Sequence, residues 1–388
     1  MVIFDTSFEE LANKYLKGKS TFTLMEKQEF AIHQKELELE IIEDLLYYDK
    51  ICFKVYGENV PLIMLINIFG LEVVEELIDQ DAIEFMLWTP LIVYPVQNIK
   101  GVRPLAYGKA NSEPHCIPEV SLKLGFNWLA SDLGTKIKKR LVKQLVGKYK
   151  FPPDNIAGIS ADLTWSAYES NKFNELGVPK KDDNDLNTDE KQKICDLANN
   201  IIEISVLADG SYISKNNYKN TQLITRSIKE VETKMSIDRS ILELCSIENV
   251  PNIKLLYLEK KISINDILAI RKSGKARDFR NWLHSCTFES DNKSLSEEYI
   301  NAITNPRGLF ESKTIQLLKT ITCYGLGLGI SSLFSGPLLP FVGLSIGKAL
   351  DIGTGLGLDL FDTFLVSSLT KGWTPKLYIE DIKKMTNK

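Results

Sequence analysis

The chain has little of the material from which recognisable chemistry is built: three histidines and six cysteines in 388 residues. Cys52, Cys116, Cys195, Cys245, Cys286 and Cys323 are scattered and form no C-x-x-C pair. That excludes a zinc ribbon or a thioredoxin-like motif and fits reduced, mostly buried thiols. His115 and Cys116 are neighbours, but zinc takes three or four ligands and no third is visible. No Ser-His-Asp, Cys-His or paired-carboxylate arrangement assembles from spacing, so no catalytic residue, metal or cofactor is expected, and an enzyme of unfamiliar type, with its site in the connection over 97–125, ranks last among the readings. A signal-peptide pattern is missing too. MVIFDTSFEELANKYLK has too short an apolar run and carries acids where lysines belong, and the expectation is a chain that starts in the cytoplasm. A strong excess of one charge is also absent: the net charge of −4 leaves any anionic partner to a local basic patch. With 44% hydrophobic and 25% charged residues, the composition does exclude wholesale disorder.

Nucleotide and calcium loops are approached and missed. Gly325, Gly327 and Gly329, like Gly353, Gly355 and Gly357, form G-x-G-x-G, and Ile330 or Leu358 stands where a dinucleotide loop needs its third glycine. GLSIGKA at 343–349 has one residue too few between its glycines, and Ala349 replaces the hydroxyl that would hold magnesium. The acids of PKKDDNDLNTDE at 179–190 fail as an EF-hand, because Thr188 occupies the glycine position and Ile194 the position of the bidentate Glu. That segment reads as a polar linker ending in a capping box, Asn187 with Glu190.

What the chain does have is one long uncharged stretch, Thr320 to Gly347. As a single helix it would run about 42 Å, against about 30 Å of bilayer hydrocarbon. Pro337 and Pro340 predict a turn near 336–340 instead, and so a hairpin. Glycines recur four apart, Gly325 with Gly329, Gly343 with Gly347 and Gly353 with Gly357. On a helix this spacing makes a groove that another backbone can enter, as between membrane helices. Lys348, Asp351, Asp359 and Asp362 interrupt the second leg, which leaves a hairpin buried in a soluble core as the competing reading. Arg307, Lys313 and Lys319 before the stretch, and Lys371, Lys376, Lys383 and Lys384 after it, fit a hairpin with both ends on the cytoplasmic side.

Periodicity predicts helices over 8–16, 28–48 and 71–79, and a helix from Pro61 to Gly70 capped by Asn59. Strands are expected at 51–56 and 83–94, with Pro90 marking an edge or a break. A long connection is expected from 97 to 125 and a basic amphipathic helix over 132–150. Further helices follow after the linker, one of them opened by a Ser263–Asp266 capping box. The expected class is α+β, predominantly helical, with a small mixed sheet near the amino terminus, a helical middle and a Gly-rich apolar carboxyl-terminal helical hairpin. Three parts are expected: 1–180 mixed α/β, 187–305 helical, and 306–388 with the hairpin and an amphipathic tail.

Two basic runs are candidates for an anionic surface: Lys136, Lys138, Lys139, Arg140 and Lys143 in the first, Arg277 and Arg280 in the second. In the second, Phe279 and Trp282 sit three apart, which also fits core anchors under the long basic side chains.

The run ENVPNIKLLYLEKKISINDILAIRKSGKARDFRNWLH, with the later LTKGWTPKLYIEDI, resembles stretches of uncharacterised bacterial proteins of this size, without a named family. The resemblance implies a bacterial origin and transfers no site. The expectation is a bacterial cytoplasmic protein, at or in the inner membrane, whose hairpin anchors in or perturbs the membrane as a toxin-like or phage-defence effector would. Membrane lipid, or a second copy met through the hairpin, is the expected partner, and nucleic acid is not. The alternative is a wholly soluble interaction or scaffold protein with the hairpin in its core.

Overall fold

A computed structural model describes residues 1–16, 23–94, 105–181, 185–214, 241, 244–286 and 375–386. The chain is α+β and mostly helical, with a small parallel sheet built largely from its amino-terminal part. The strands are β1 (Val2–Asp5), β2 (Lys50–Val55), β3 (Ile83–Leu87), β4 (Pro90–Val93), β5 (Ala106–Lys109), β6 (Tyr149–Lys150) and β7 (Tyr212–Ser214). Five make one sheet in the order β6-β3-β2-β1-β7, parallel throughout. Antiparallel pairing is confined to a separate ribbon, β4 with β5. The apolar run over 83–94 is therefore two strands, and Pro90 opens the second.

Between the strands lie α1 (Ser7–Leu11, continued by a π-turn to Leu16), α2 (Leu24–Tyr47), α3 (Val60–Phe69), α4 (Leu71–Asp79), α5 (Glu113–Cys116), α6 (Pro118–Gly125), α7 (Gly134–Leu145), α8 (Ile156–Glu169) and α9 (Thr188–Asp209). After β7 come α10 (Ile253–Leu258), α11 (Ile264–Arg271), α12 (Gly274–Cys286) and α13 (Pro375–Thr386). Local chemistry sets several starts. Asn59 accepts from the Leu62 amide, and capping boxes open α2 at Thr23, α9 at Asn187 and α11 at Ser263. Part of the expected connection over 97–125 is ordered as β5, α5 and α6.

Alternation along the strands sorts the core into two layers. Ile3, Phe53, Phe85 and Ile213 face α1 to α4, α6, α7 and α10 to α13, whereas Phe4, Cys52, Met86 and Tyr212 face α8, α9 and the ribbon. Both faces being covered explains why every residue of β3 is buried. The winding follows from handedness. From β1 through β2 and β3 to β6 the chain steps one way with its helices on one face; it then returns past β1 to β7, with α8 and α9 on the other. The strand order therefore reverses between β1 and β7.

The stretch beyond the polar linker rejoins the amino-terminal part: β7 pairs with β1, and the Tyr257 hydroxyl of α10 donates to Glu38 of α2 at 2.7 Å. The uncharged stretch, with Gly325, Gly329, Gly343, Gly347, Gly353, Gly357, Pro337 and Pro340, lies outside the described residues.

Candidate functional site

The carboxyl end of α2 is the place where the two sides of the uncharged segment meet. A helix leaves its last carbonyls without intrahelical donors, and a cation or hydroxyl brought from elsewhere satisfies them. Here Arg271, at the end of α11, donates to the carbonyls of Leu45 and Tyr48, each at 2.6 Å, and to that of Asp49. Tyr378 of α13 donates to the carbonyl of Leu46 at 2.7 Å. Arg280 of α12 reaches the Asp49 carboxylate at 2.8 Å, and the Met1 amino group holds its other oxygen. Burial, with Arg280 beside it, presses the Arg271 guanidinium down to about 10, still charged at neutral pH. Burial alone would raise the Asp49 carboxyl, but the Met1 amino group and Arg280 outweigh it and hold Asp49 below its ordinary range.

Helices α12 and α13 then pair along their length. Phe279 stacks on Tyr378 with ring centroids 4.9 Å apart, and Lys275 meets Asp381 at 3.0 Å. As the number rises on α12 it falls on α13, so the two are antiparallel; Pro375 comes level with about Trp282, and α12 runs one further turn to Cys286. Tyr378, Ile379, Ile382 and Met385 make the buried face of α13, at helical spacing. The segment 287–374 thus leaves and rejoins the body at one place, on a base riveted to α2. Among the described residues no helix is long and apolar enough to cross a membrane.

A second polar cluster occupies the carboxyl ends of the strands, beside the point where their order reverses, the usual place for a ligand in an open parallel sheet. Asp5 ends β1 and accepts from the Ser7 amide and hydroxyl at 2.9 and 2.7 Å, while the Thr6 hydroxyl donates to Glu10 at 2.6 Å. Lys54 pairs with Glu203 of α9 and lies 4.1 Å over the Trp88 ring. The His115 ring stands edge-on to Tyr56 with centroids 4.5 Å apart and shares a hydrogen with the Ser112 hydroxyl at 2.7 Å. Cys116 is exposed and bonds to the carbonyl of Ala110. Among the described residues no three His, Cys, Asp or Glu side chains are placed to hold a metal. The cluster can hydrogen-bond a polar ligand, but its own carboxylates already accept from neighbouring groups.

No protein-family model, no curated protein and no solved structure matches the chain.

The residues expected to face anions divide sharply. Arg280 is buried against Asp49 and the carbonyl of Arg271, which removes it from any surface; the three-residue spacing of Phe279 and Trp282 marks the inward face, and Arg280 shares it. Arg277 is exposed. Lys138 is tied to Asp132 at 2.5 Å and the exposed Arg140 to Glu75, whereas Lys136, Lys139 and Lys143 are exposed and in no ion pair among the described residues. Tyr378, and the part that Arg271 plays at the end of α2, escaped sequence reasoning, which put Arg271 with the anion-facing basic run. Arg271 ends a capped helix like any surface arginine, and nothing local links Tyr378 to a helix end more than three hundred positions earlier.

Proposed function

We propose that the protein is an α/β body carrying residues 287–374 as a membrane-associating insertion, and that it acts at the bacterial inner membrane as an anchored or membrane-perturbing effector. The observation that supports this most is the shared base: a segment whose ends adjoin is joined to the body as a hairpin is, with both flanks on one side of a bilayer. The uncharged run from Thr320 to Gly347 and the glycines four apart add to it, since small residues suit close helix packing in lipid or between two copies. The flanking charge needs one revision. Lys383 is engaged with Glu248 and Lys384 with Asp381, so the basic residues left to face headgroups are Arg307, Lys313, Lys319, Lys371 and Lys376. The polar cluster at the carboxyl ends of the strands is where a regulating ligand would bind in this reading.

Lys348, Asp351, Asp359 and Asp362 favour the second reading, a soluble interaction protein with the segment in its core. Flotation of the purified full chain with phosphatidylcholine vesicles separates the two. The membrane reading expects the full chain to float and a chain with 287–374 replaced by a short Gly-Ser linker to stay at the bottom, folded. A full chain that does not float, or a linker variant that does not fold, supports the soluble reading.

A further inference from the structure

Resting on the membrane reading above, we infer that Lys136, Lys139 and Lys143 of α7 form a contact surface for anionic phospholipid headgroups. The helix buries Leu141 and Leu145 completely, which turns its opposite side outward. At about 100° per residue the three lysines lie within about 60° of one another on that outward side, spread over about 10 Å of helix, so all three can touch a plane together. No acid occurs within α7. The acids around it are engaged elsewhere: Asp132 with Lys138, Glu75 with Arg140, and Asp81 with Lys148 and Lys50. The three lysines consequently have no ion pair among the described residues, while the three acids around them are paired with four other cations.

An anionic membrane fits this stripe better than nucleic acid does. Single strands are held by aromatic platforms between the cations, and duplexes by many phosphate contacts; the stripe has no aromatic and only three charges. A flat array of headgroups asks only for amines in one plane, each strengthening attachment about fivefold.

Sedimentation with vesicles of phosphatidylcholine alone, and with about 30 mol% phosphatidylglycerol added, tests this on the full chain. Three forms are compared: wild type, Lys136→Gln/Lys139→Gln/Lys143→Gln, and a charge-matched control, Lys27→Gln/Lys172→Gln/Lys260→Gln, at exposed sites away from the stripe. The expected result is a gain for wild type on anionic vesicles that falls by up to about a hundredfold in the stripe variant and fades with salt. The control should lose only a few-fold, and binding to neutral vesicles should be equal in all three. Retention of the anionic gain by the stripe variant overturns the inference. So does an equal loss in the control, or a loss of single-stranded DNA binding with vesicle binding intact. If no form binds neutral vesicles while the stripe-dependent gain persists, the insertion reading fails and the stripe stands. Neutral binding with no anionic gain has the opposite meaning.

Discussion

Removing residues 287–374 and removing α13 should have opposite effects, although the two are adjacent in sequence. The base formed by Arg271, Arg280 and Tyr378 brings the end of α12 to within about one helical turn of the level of Pro375, so a short linker of Gly and Ser residues can bridge them without disturbing either helix. Shortening the closed segment about tenfold lowers its closure entropy and should stabilise the body by about 2 kcal/mol. Truncation before α13 instead exposes the sites filled by Tyr378, Ile379, Ile382 and Met385, all buried. At about 1.5 to 3 kcal/mol for each buried side chain, the loss is about 6 to 12 kcal/mol, most of the stability of an ordinary domain. It also strips the Leu46 carbonyl of its donor. Urea unfolding followed by circular dichroism on the two variants decides the matter. An internally deleted chain that is unfolded, or a truncated chain that unfolds at the wild-type midpoint, refutes the reasoning about the base.

Smaller changes probe the same contacts. Tyr378→Phe keeps the ring against Phe279 but loses the bond to Leu46, and should cost about 1 to 2 kcal/mol in urea melts; no change would mean that water replaces the hydroxyl. Arg271→Met leaves the carbonyls of Leu45, Tyr48 and Asp49 without a donor and should cost about 3 kcal/mol or more. Asp49 has a folded pKa below its unfolded one, so its stabilisation is present above the unfolded value and is lost as the pH falls through the folded value. Asp49→Asn should therefore lower stability at neutral pH and flatten the pH dependence below about pH 4, read from melting temperatures across an acid series. Gly125→Ala places a methyl 2.7 Å from the Asn59 carbonyl oxygen, closer than van der Waals contact, and should cost about 1 to 3 kcal/mol by overpacking α6 on the start of α3.

Local signals were legible and distant pairings were not. Asn59, Asn187 and Ser263 could be read as caps because a cap and its partner amide lie within one turn. The helix over 71–79 was legible for the same reason, its apolar residues repeating inside three turns. Strands β6 and β7 were not, since two and three residues show no period, and they are strands only because β3 and β1 offer free edges. The basic run KARDFRNWLH shows the limit for the site. Periodicity told that one face of α12 turns inward, but only the position of Asp49 shows that Arg280 goes with it. Likewise the basic residues of α7 look alike in sequence, and the distant Glu75 sorts the paired Arg140 from Lys136, Lys139 and Lys143.

The central claim is that 287–374 takes this protein to a membrane, and fractionation of cells after a carbonate wash tests it most directly. The full chain is expected in the washed membrane pellet and the linker-bridged chain in the supernatant. Gly329→Leu and Gly347→Leu should shift the full chain toward the supernatant without lowering its melting temperature, since in this account they block close packing in lipid and touch nothing in the body. A full chain released by carbonate, together with a melting temperature that drops in both glycine variants, would contradict the account and put the segment in the core.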